Sequence, residues 1–134
     1  MSVYDTNYPV ILVVDDDTDL RDALTDIFEF SGYVVFSAAT GCEGLRLLRC
    51  LETSPSLIIS DVRMADMDGY QFCQSVYSEE RWRGIPFVFL SARSLMQDEA
   101  KRRGLHVQGY MSKPFSVEDL LAKVNNILQA GYGY

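Results

Sequence analysis

Five short runs of apolar residues, each bounded by turn-forming residues, limit the fold of this 134-residue chain more than any other feature. Residues 10–14, 57–60 and 87–90 form three of these runs and are almost wholly aliphatic or aromatic. Such continuous runs are typical of strands that are buried on both faces of a sheet. Apolar residues recur at helical spacing between the runs. The alternation predicts an α/β domain in which helices cover both faces of a parallel sheet.

Turn and cap residues predict the boundaries of these elements. Asp17 or Thr18 is expected to cap the first helix, and Gly32 to end it. Pro55 breaks the chain before the third strand, and Ser116 begins a capping-box pattern before the last helix. Strands are predicted at 10–14, 33–36, 57–60, 87–90 and 107–111, helices after 17, over about 41–51, after 69, over about 95–103 and after 116, and a polar loop around Trp82.

Length and charge restrict the class of protein. The chain is long enough for one domain, with residues 1–9 as an N-terminal extension and 130–134 as a loose tail or the start of a linker. A net charge of -7 argues against direct binding to nucleic acid or to an anionic membrane. The N-terminus lacks the pattern of a signal peptide, and no apolar stretch approaches the ~20 residues that cross a bilayer. We therefore expect a cytoplasmic protein.

The cysteines and the single histidine do not form a recognisable site. Cys42, Cys50 and Cys73 are odd in number and lack framework spacing, which favours reduced thiols in helices or the core. His106 is far from them in sequence and no CxxC pair is present, so zinc is not expected. We assign no role to His106.

Reactive side chains follow four of the five predicted strands. Asp15 and Asp16 follow the first strand, Asp61 the third, Ser91 the fourth and Lys113 the fifth. The carboxyl ends of parallel strands meet in one crevice, where such sheets bind their ligands. We therefore expect these side chains to lie close together.

Converging carboxylates repel one another unless a cation joins them. Oxygen ligands without sulfur or imidazole favour Mg²⁺ over zinc or copper. Beside such an ion, Asp61 can act as a nucleophile toward phosphorus and form an aspartyl phosphate. Lys113 would supply compact positive charge to the phosphoryl oxygens, and Ser91 a hydroxyl donor.

Taken together, these residues resemble the receiver domain of bacterial two-component response regulators. Asp61 and Ser91 are 30 residues apart, and Ser91 and Lys113 are 22 apart, close to the spacing of that family. The resemblance implies a flavodoxin-like sheet with strand order 2-1-3-4-5. The matching segments span nearly the whole chain in the family's order: 11–17, 57–61 with 67–69, 89–92 and 110–115.

The resemblance also implies a role for each site residue. Asp61 would be the phosphoacceptor, phosphorylated through Mg²⁺-dependent chemistry that the domain itself catalyses, as it does the later hydrolysis. Asp16 would bind Mg²⁺ directly, Asp15 through water, and Arg63 through its backbone carbonyl. A histidine kinase or phosphotransfer protein would donate the phosphoryl group.

Switching is the further consequence of the resemblance. Ser91 and Lys113 would bind the phosphoryl oxygens, and Tyr110 would be an aromatic switch, with plain core packing as its alternative. Moving a population from 1:99 to 99:1 takes about 5.5 kcal/mol, and two hydrogen bonds to a charged group supply roughly 3–6 kcal/mol. A downstream output domain or protein would read the surface of the fourth helix, fifth strand and fifth helix, through which a homodimer could also form. The charged residues there are Asp98, Glu99, Lys101, Arg102 and Arg103, for which a solvated helix face is the alternative.

The chain departs from the family at one position and carries long cations at two others. Ala65 stands where the family usually has proline, so a looser loop after Asp61 is expected. Arg63 and Arg93 stand two residues beyond Asp61 and Ser91. Our hypothesis is that they shield or bias the phosphoryl group and change its lifetime, the alternative being arginines solvated at the rim.

Three other functions remain open at this point. Asp15 and Asp17 are two acids separated by one residue, as in haloacid-dehalogenase-like phosphohydrolases, but the expected threonine is missing and the chain lacks room for a cap. A flavin-binding module would need a Ser, Thr and Gly-rich phosphate loop after the first strand, where acids stand instead. A receiver fold used only for protein binding is the third alternative.

Overall fold

Strands and helices alternate throughout residues 8–92 and 96–130, the part of the chain that the computed structural model describes. The strands are β1 (Val10–Val14), β2 (Val34–Ala38), β3 (Leu57–Asp61), β4 (Phe87–Ser91) and β5 (Gly109–Ser112). The helices are α1 (Thr18–Phe30), α2 (Gly41–Cys50), α3 (Gly69–Tyr77), α4 (Met96–Arg102) and α5 (Val117–Gln129). All strand pairs are parallel in the order β2-β1-β3-β4-β5, which confirms the predicted flavodoxin-like fold.

Alternating residues of the central strands build a hydrophobic core on each side of the sheet. Leu12 and Val14 of β1 belong to the cluster that includes residues of α2, α3 and α4. Ile11 and Val13 belong to the opposite cluster, with residues of α1 and α5. All four are fully buried, and burying a side chain of this size contributes about 1.5–3 kcal/mol. The continuous apolar run in the sequence is therefore explained by burial on both faces.

β2 begins and ends at other residues than predicted, while β3 and β4 each extend one residue beyond the predicted end. Tyr33 was assigned to β2, but its backbone N–H donates to the carbonyl of Phe28, at 3.0 Å, and so belongs to the turn that ends α1. Gly32 permits this turn because its φ of 97° is in the left-handed region. β2 instead continues to Ala38, which pairs with Val14. Because pairing with β1 sets this end of β2, no apolar pattern in the sequence marks it.

The fifth strand is shorter than predicted. The backbone N–H of Gln108 donates to the carbonyl of Phe87 at 3.0 Å, and the Gln108 side chain accepts from the N–H of Phe87 at 2.8 Å. The ladder of β5 therefore starts at Gly109 and not at Val107. The polar segment around Trp82 contains a short 3-10 helix, Glu80–Trp82, where a loop was predicted, because Trp82 is buried and turns the segment toward the core.

Side-chain caps fix the start of the helices that follow the carboxyl ends of the strands. Asp17 accepts from the N–H of Leu20 and Ser116 from that of Asp119, as the sequence predicted. Thr40 caps α2 in the same way. Asp68 begins α3 with a capping box. Each cap satisfies an amide that has no partner within the helix.

The parallel register aligns the ends of the strands at one edge of the sheet. Val14 pairs with Ser60, Asp61 with Leu90, and Ser91 with Ser112. The residues that follow these pairs therefore lie in neighbouring loops. None of the helices in residues 8–92 and 96–130 has the length and apolar character needed to span a membrane.

Candidate functional site

Three acids and one lysine converge at the carboxyl edge of the sheet. Lys113 Nζ lies 3.4 Å from Oδ2 of Asp15 and 3.5 Å from Oδ2 of Asp61. Carboxylate oxygens of Asp15, Asp16 and Asp61 all lie within 4.8 Å of one another. Asp15 and Asp61 are buried, whereas Asp16 is exposed. The site is thus a buried acidic pair with one cation beside it and a third acid at its opening.

Asp15 is fixed on several sides at the end of β1. Its N–H donates to the carbonyl of Ala38 at 3.1 Å, and its Oδ1 accepts from the N–H of Asp17 at 2.9 Å. The guanidinium of Arg21, in the first turns of α1, donates to the Asp15 carbonyl at 2.7 Å. Burial raises the pKa of Asp15, while the Asp17 amide and the Lys113 ammonium oppose that shift. The buried Asp15 carboxylate therefore needs neighbouring positive charge or hydrogen-bond donors to remain ionised.

Asp61 occupies the last position of β3 and is 8% exposed. Its Oδ1 accepts from the N–H of Val62 at 2.8 Å. Burial and the neighbouring charge of Asp15 raise the pKa of Asp61, while Lys113 and the amides of Val62 and Arg63 lower it. The carboxylate is oriented by backbone amides and retains an oxygen near Lys113.

Lys113 and Ser91 are joined through their backbones. The N–H of Lys113 donates to the carbonyl of Ser91 at 2.9 Å, which holds the ends of β4 and β5 together. The peptide bond between Lys113 and Pro114 is cis. Ser91 is buried at 1% exposure. The strand ends that carry Ser91 and Lys113 are therefore held side by side.

An open cavity of about 310 Å³ adjoins Asp61. Since liquid water occupies about 30 Å³ per molecule, the cavity has room for a tetrahedral anion and several waters. Its lining combines a carboxylate, a hydroxyl and two cationic side chains. The lining residues are Asp61, Arg63, Ser91, Ala92 and Lys113.

The acidic cluster fits a small divalent cation. Oxygens around octahedral Mg²⁺ lie about 3–4 Å apart, since each is about 2.1 Å from the ion. The carboxylate oxygens of Asp15, Asp16 and Asp61 lie within 4.8 Å of one another, so small side-chain adjustments would bring them to that spacing. The donors are all hard oxygens, which suit magnesium or calcium better than a soft metal.

Comparison with known proteins identifies the family. The sequence profile of the response regulator receiver domain matches residues 11–125, which include every acid of the cluster, Ser91 and Lys113. The chain belongs to the response regulator receiver domain family. Receiver domains are the phosphoacceptor modules of two-component signalling and act as signalling domains, not as classical enzymes.

Relatives and solved structures agree with this assignment. The receiver domain is 34% identical over 121 residues to the DNA-binding dual master transcriptional regulator RpaA of Synechocystis, covering 90% of this chain and 49% of RpaA. It is 36% identical over 124 residues to the transcriptional regulatory protein YbdJ of Bacillus subtilis, covering 92% of this chain and 52% of YbdJ. The chain thus spans about half the length of these curated relatives.

Two solved structures share the fold of the receiver domain. The signal receiver domain of a histidine kinase from Syntrophus aciditrophicus is 31% identical, with a TM-score of 0.81 and 92% of each chain covered. The chemotaxis response regulator CheY4 of Vibrio cholerae is 27% identical, with a TM-score of 0.80, 90% of this chain and 98% of CheY4 covered.

The remaining predicted residues lie at different distances from the cluster. Tyr110 is half-buried on β5, and its ring centroid lies 6.2 Å from that of Phe89 on β4. Burial raises the pKa of Tyr110. Arg93 lies outside the described residues. His106 is exposed and belongs neither to the acidic cluster nor to the cavity lining.

The charged residues of α4 divide into two groups. Asp98, Lys101 and Arg102 are exposed, as a partner surface requires. Glu99 is half-buried and pairs with both Arg102 and Arg103, and Arg103, which follows α4, also lies over the ring of Tyr70 in α3. Part of the predicted surface therefore serves contacts within the domain.

The three thiols do not contribute to the site. Cys42 and Cys50 are exposed on α2, and Cys73 is buried in α3. Burial raises the pKa of the Cys73 thiol to about 12, so it stays protonated. The prediction of free helix or core thiols agrees with this arrangement.

Two residues near the site were not found from the sequence. Arg21 donates to the Asp15 carbonyl. The sequence signal for Arg21 was its position near the N-terminus of α1, where the helix dipole disfavours a cation. Asp66 accepts from the amides of Gly41 and Cys42 at the start of α2. No local pattern identifies Asp66, because its partners are 24 and 25 residues earlier in the chain.

Proposed function

We propose that Asp61 accepts a phosphoryl group from the phosphohistidine of a histidine kinase or phosphotransfer protein. The observation that supports this most is the position of Lys113, whose ammonium lies 3.4 Å from Asp15 and 3.5 Å from Asp61 and which lines the adjoining cavity. A buried acid that only stabilised the fold would not need an adjoining cavity with a cation and a hydroxyl in its lining.

In the transfer step, a carboxylate oxygen of Asp61 attacks phosphorus while the bond from phosphorus to the donor's imidazole nitrogen breaks. The imidazole, whose other ring nitrogen carries a proton, leaves with the bonding electron pair and is then neutral. Negative charge on the transferred group is spread over its three peripheral oxygens. Lys113 and Ser91 would compensate that charge, and the amide of Val62 would orient Asp61 for attack.

Hydrolysis of the resulting acyl phosphate needs a water molecule behind the phosphorus. The water oxygen bonds to phosphorus and the bond from phosphorus to Asp61 breaks. Inorganic phosphate, which keeps the oxygen and protons of the water, is released, and the Asp61 carboxylate is restored. Arg63 lines the cavity from which such a water would approach. This position supports our hypothesis that Arg63 changes the lifetime of the phosphorylated state.

The metal role rests on the acidic cluster and its chemistry. Asp16, Asp61 and the backbone carbonyl of Arg63, with Asp15 acting through water, would hold Mg²⁺, which when bound supplies positive charge to the acids and the phosphoryl oxygens. Exposed Asp16 would close the opening of the site, and buried Asp15 would be held in place by Asp17 and Arg21.

A switch at Ser91 and Tyr110 follows from the same proposal. Two hydrogen bonds to the phosphoryl group, from Ser91 and Lys113, supply roughly 3–6 kcal/mol, against the 5.5 kcal/mol that a shift from 1:99 to 99:1 takes. Phe89 pairs with Tyr110 across β4 and β5, and Ser91 follows two residues later. A displacement of Ser91 toward the phosphoryl group would therefore reach the Tyr110 ring through adjacent strands.

We propose that an output domain or separate protein reads the surface of α4, β5 and α5, where a homodimer could also form. Asp98, Lys101 and Arg102 are its exposed charged residues. The curated relatives include transcriptional regulators of about twice the aligned length. The net charge of -7 supports an output that does not depend on nucleic-acid binding by this domain itself.

The alternative functions have no observation in their favour. The matched profile is that of receiver domains, not of phosphohydrolases or flavin-binding proteins. In a phosphohydrolase Asp15 would be the nucleophile, but the cavity beside the acidic cluster is lined by Asp61 and not by Asp15. Use as a protein-binding fold alone is tested by the following experiment.

The test is incubation of the protein with Mg²⁺ and acetyl phosphate, followed by intact-mass measurement and mapping of the modified residue. We expect one phosphoryl adduct on Asp61 that is lost on hydrolysis and absent from Asp61→Asn. Asp26→Asn, which changes an exposed acid of α1, is the matched control and should be modified like the wild type. Lack of an adduct on the wild type, or an adduct retained by Asp61→Asn, would refute the proposal.

A further inference from the structure

The loop that follows Asp61 is anchored at its base. The N–H of Gly69 donates to the carbonyl of Val62 at 2.7 Å, so the two ends of the loop formed by residues 63–68 are held together. A Cβ at Gly69 would collide with the backbone carbonyl oxygen of Asp61. The base of the loop is therefore packed directly against the backbone of the proposed phosphoacceptor. These contacts do not fix the tip of the loop, residues 64–67, so the position of the tip depends on other interactions.

The tip is held by Asp66. Its Oδ1 accepts from the N–H of Gly41 at 3.1 Å, and its Oδ2 accepts from the N–H of Cys42 at 2.8 Å. Although desolvation acts in the opposite direction, the Cys42 and Gly41 amides help to lower the pKa of Asp66 to about 2. The carboxylate is thus ionised at neutral pH and binds two orphan amides at the positive end of α2.

A second contact joins the same two segments. A Cβ built at Gly41 would lie 2.5 Å from Cγ and 2.7 Å from Sδ of Met67. Met67 therefore packs against the backbone of the first residue of α2, next to the Asp66 hydrogen bonds. The loop contacts α2 through a polar pair and an apolar neighbour at consecutive positions.

The helix does not need Asp66 as its cap. Thr40 already caps α2, since its Oγ1 accepts from the N–H of Glu43 at 3.0 Å. The Asp66 contacts bridge 24 and 25 residues of sequence, whereas a cap acts within three or four. Their distinct effect is to fix the loop on the helix.

We propose that Asp66 is a positioning residue that fixes the loop after Asp61 against the N-terminus of α2. The proposal rests on the function proposed for Asp61, because this loop also bears Arg63, which lines the cavity beside Asp61 and whose backbone carbonyl is a proposed Mg²⁺ ligand. Neighbouring Ala65 does not restrict the backbone as proline would, so the loop relies on this tether. Without the tether, residues 63–67 would sample more conformations, and binding of a divalent cation would have to order them.

The test compares Asp66→Ala and Asp66→Asn with Thr40→Ala. Thr40→Ala is the matched control, because it removes the hydrogen bond to Glu43 from the same end of α2 and keeps both Asp66 hydrogen bonds. Amide hydrogen exchange, measured by NMR on the unphosphorylated protein without metal, should speed up for residues 63–67 in Asp66→Ala. Asp66→Asn keeps one acceptor oxygen and should be intermediate. Thr40→Ala should change Glu43 and leave the loop unchanged.

Mg²⁺ titration of the same samples, followed by amide chemical shifts, gives the second readout. We expect the dissociation constant for Mg²⁺ to rise by about tenfold in Asp66→Ala, a typical effect of losing support behind a metal ligand, with no change in Thr40→Ala. Loop exchange and Mg²⁺ affinity in Asp66→Ala equal to those of Thr40→Ala would overturn the proposal. Failure of the wild type to accept a phosphoryl group would instead refute the function of Asp61 and leave the exchange result intact.

Discussion

The guanidinium of Arg103 lies over the ring of Tyr70, with Cζ 4.7 Å from the ring centroid. Tyr70 is buried in the first turn of α3 and packs edge-on against Phe89, at a centroid distance of 5.1 Å. Arg103 also lies 3.8 Å from Asp68, which caps α3. The residue that follows α4 is therefore joined to the start of α3, immediately after the loop of the proposed phosphoacceptor.

Replacing Arg103 with alanine should loosen this connection. Loss of the ring contact and of the two partly exposed ion pairs with Asp68 and Glu99 should lower the free energy of unfolding by about 0.5–1.5 kcal/mol, as measured by urea denaturation. Arg102→Ala is the control, because Arg102 pairs with the same Glu99 but is largely exposed. It should cost less than about 0.5 kcal/mol. Equal losses in the two variants would show that the ring contact contributes nothing.

Among the described glycines, Gly69 has the least room for a side chain. Gly69→Ala would force the Asp61 backbone or the start of α3 to move, since an added Cβ would collide with the Asp61 carbonyl oxygen. We expect the free energy of unfolding to fall by about 1–3 kcal/mol, measured by urea denaturation. Gly84→Ala is the control, because no heavy atom lies within 4 Å of its added Cβ. A loss in Gly69→Ala no larger than in Gly84→Ala would contradict the close approach.

The sequence allowed prediction of the fold and of the acidic cluster for physical reasons. A strand buried on both faces must be continuously apolar, so the central strands were visible, and parallel strands bring their carboxyl ends to one edge. Asp15, Asp61 and Lys113 could be placed together on that ground. The first and last residues of β2 and β5 could not be predicted, because they depend on neighbouring strands. Ala38 pairs with Val14 of β1, and Gln108 hydrogen bonds to Phe87 of β4. Contacts that exist only after folding, as for Asp66, likewise leave no local pattern.

Removing the charge of Asp61 should stabilise the metal-free protein. Asp61 is buried beside Asp15, and two unit charges about 5 Å apart repel by about 3 kcal/mol at an effective dielectric constant of 20, partly offset here by Lys113. We expect Asp61→Asn to raise the free energy of unfolding by about 1–2 kcal/mol in a chelator, and added Mg²⁺ to narrow that difference. Thermal unfolding with and without Mg²⁺ measures both effects. Asp26→Asn should show neither, and a destabilised Asp61→Asn would contradict the repulsion.

The tether at Asp66 should weaken in acid. Its pKa is lowered from 3.8 to about 2, so its contribution to stability is present above pH 3.8 and is lost as the pH falls through about 2. Asp66→Ala should therefore cost about 1 kcal/mol at neutral pH, and the difference from wild type should shrink below about pH 4. The adjoining Cys42 thiol stays protonated over this range, because its pKa is raised from 9.0. Urea denaturation across the range tests this, and a difference independent of pH would contradict it.

Arg63 should control how long the phosphoryl group survives. Its exposed side chain lines the cavity beside Asp61, where it can pair with phosphoryl oxygens and obstruct an approaching water. An exposed ion pair contributes up to about 1 kcal/mol, which corresponds to about a fivefold change in rate. We therefore expect Arg63→Ala to hydrolyse its aspartyl phosphate up to about fivefold faster than the wild type, measured as loss of the adduct by intact mass. Arg63→Lys keeps the charge on a shorter side chain, so its rate of hydrolysis should fall between those of the wild type and Arg63→Ala. Arg83→Ala changes an exposed arginine outside the cavity lining and should lose its adduct at the wild-type rate. Equal decay of all four proteins would show that Arg63 is merely solvated at the rim, and slower decay of Arg63→Ala would show that the guanidinium assists the attacking water instead of excluding it.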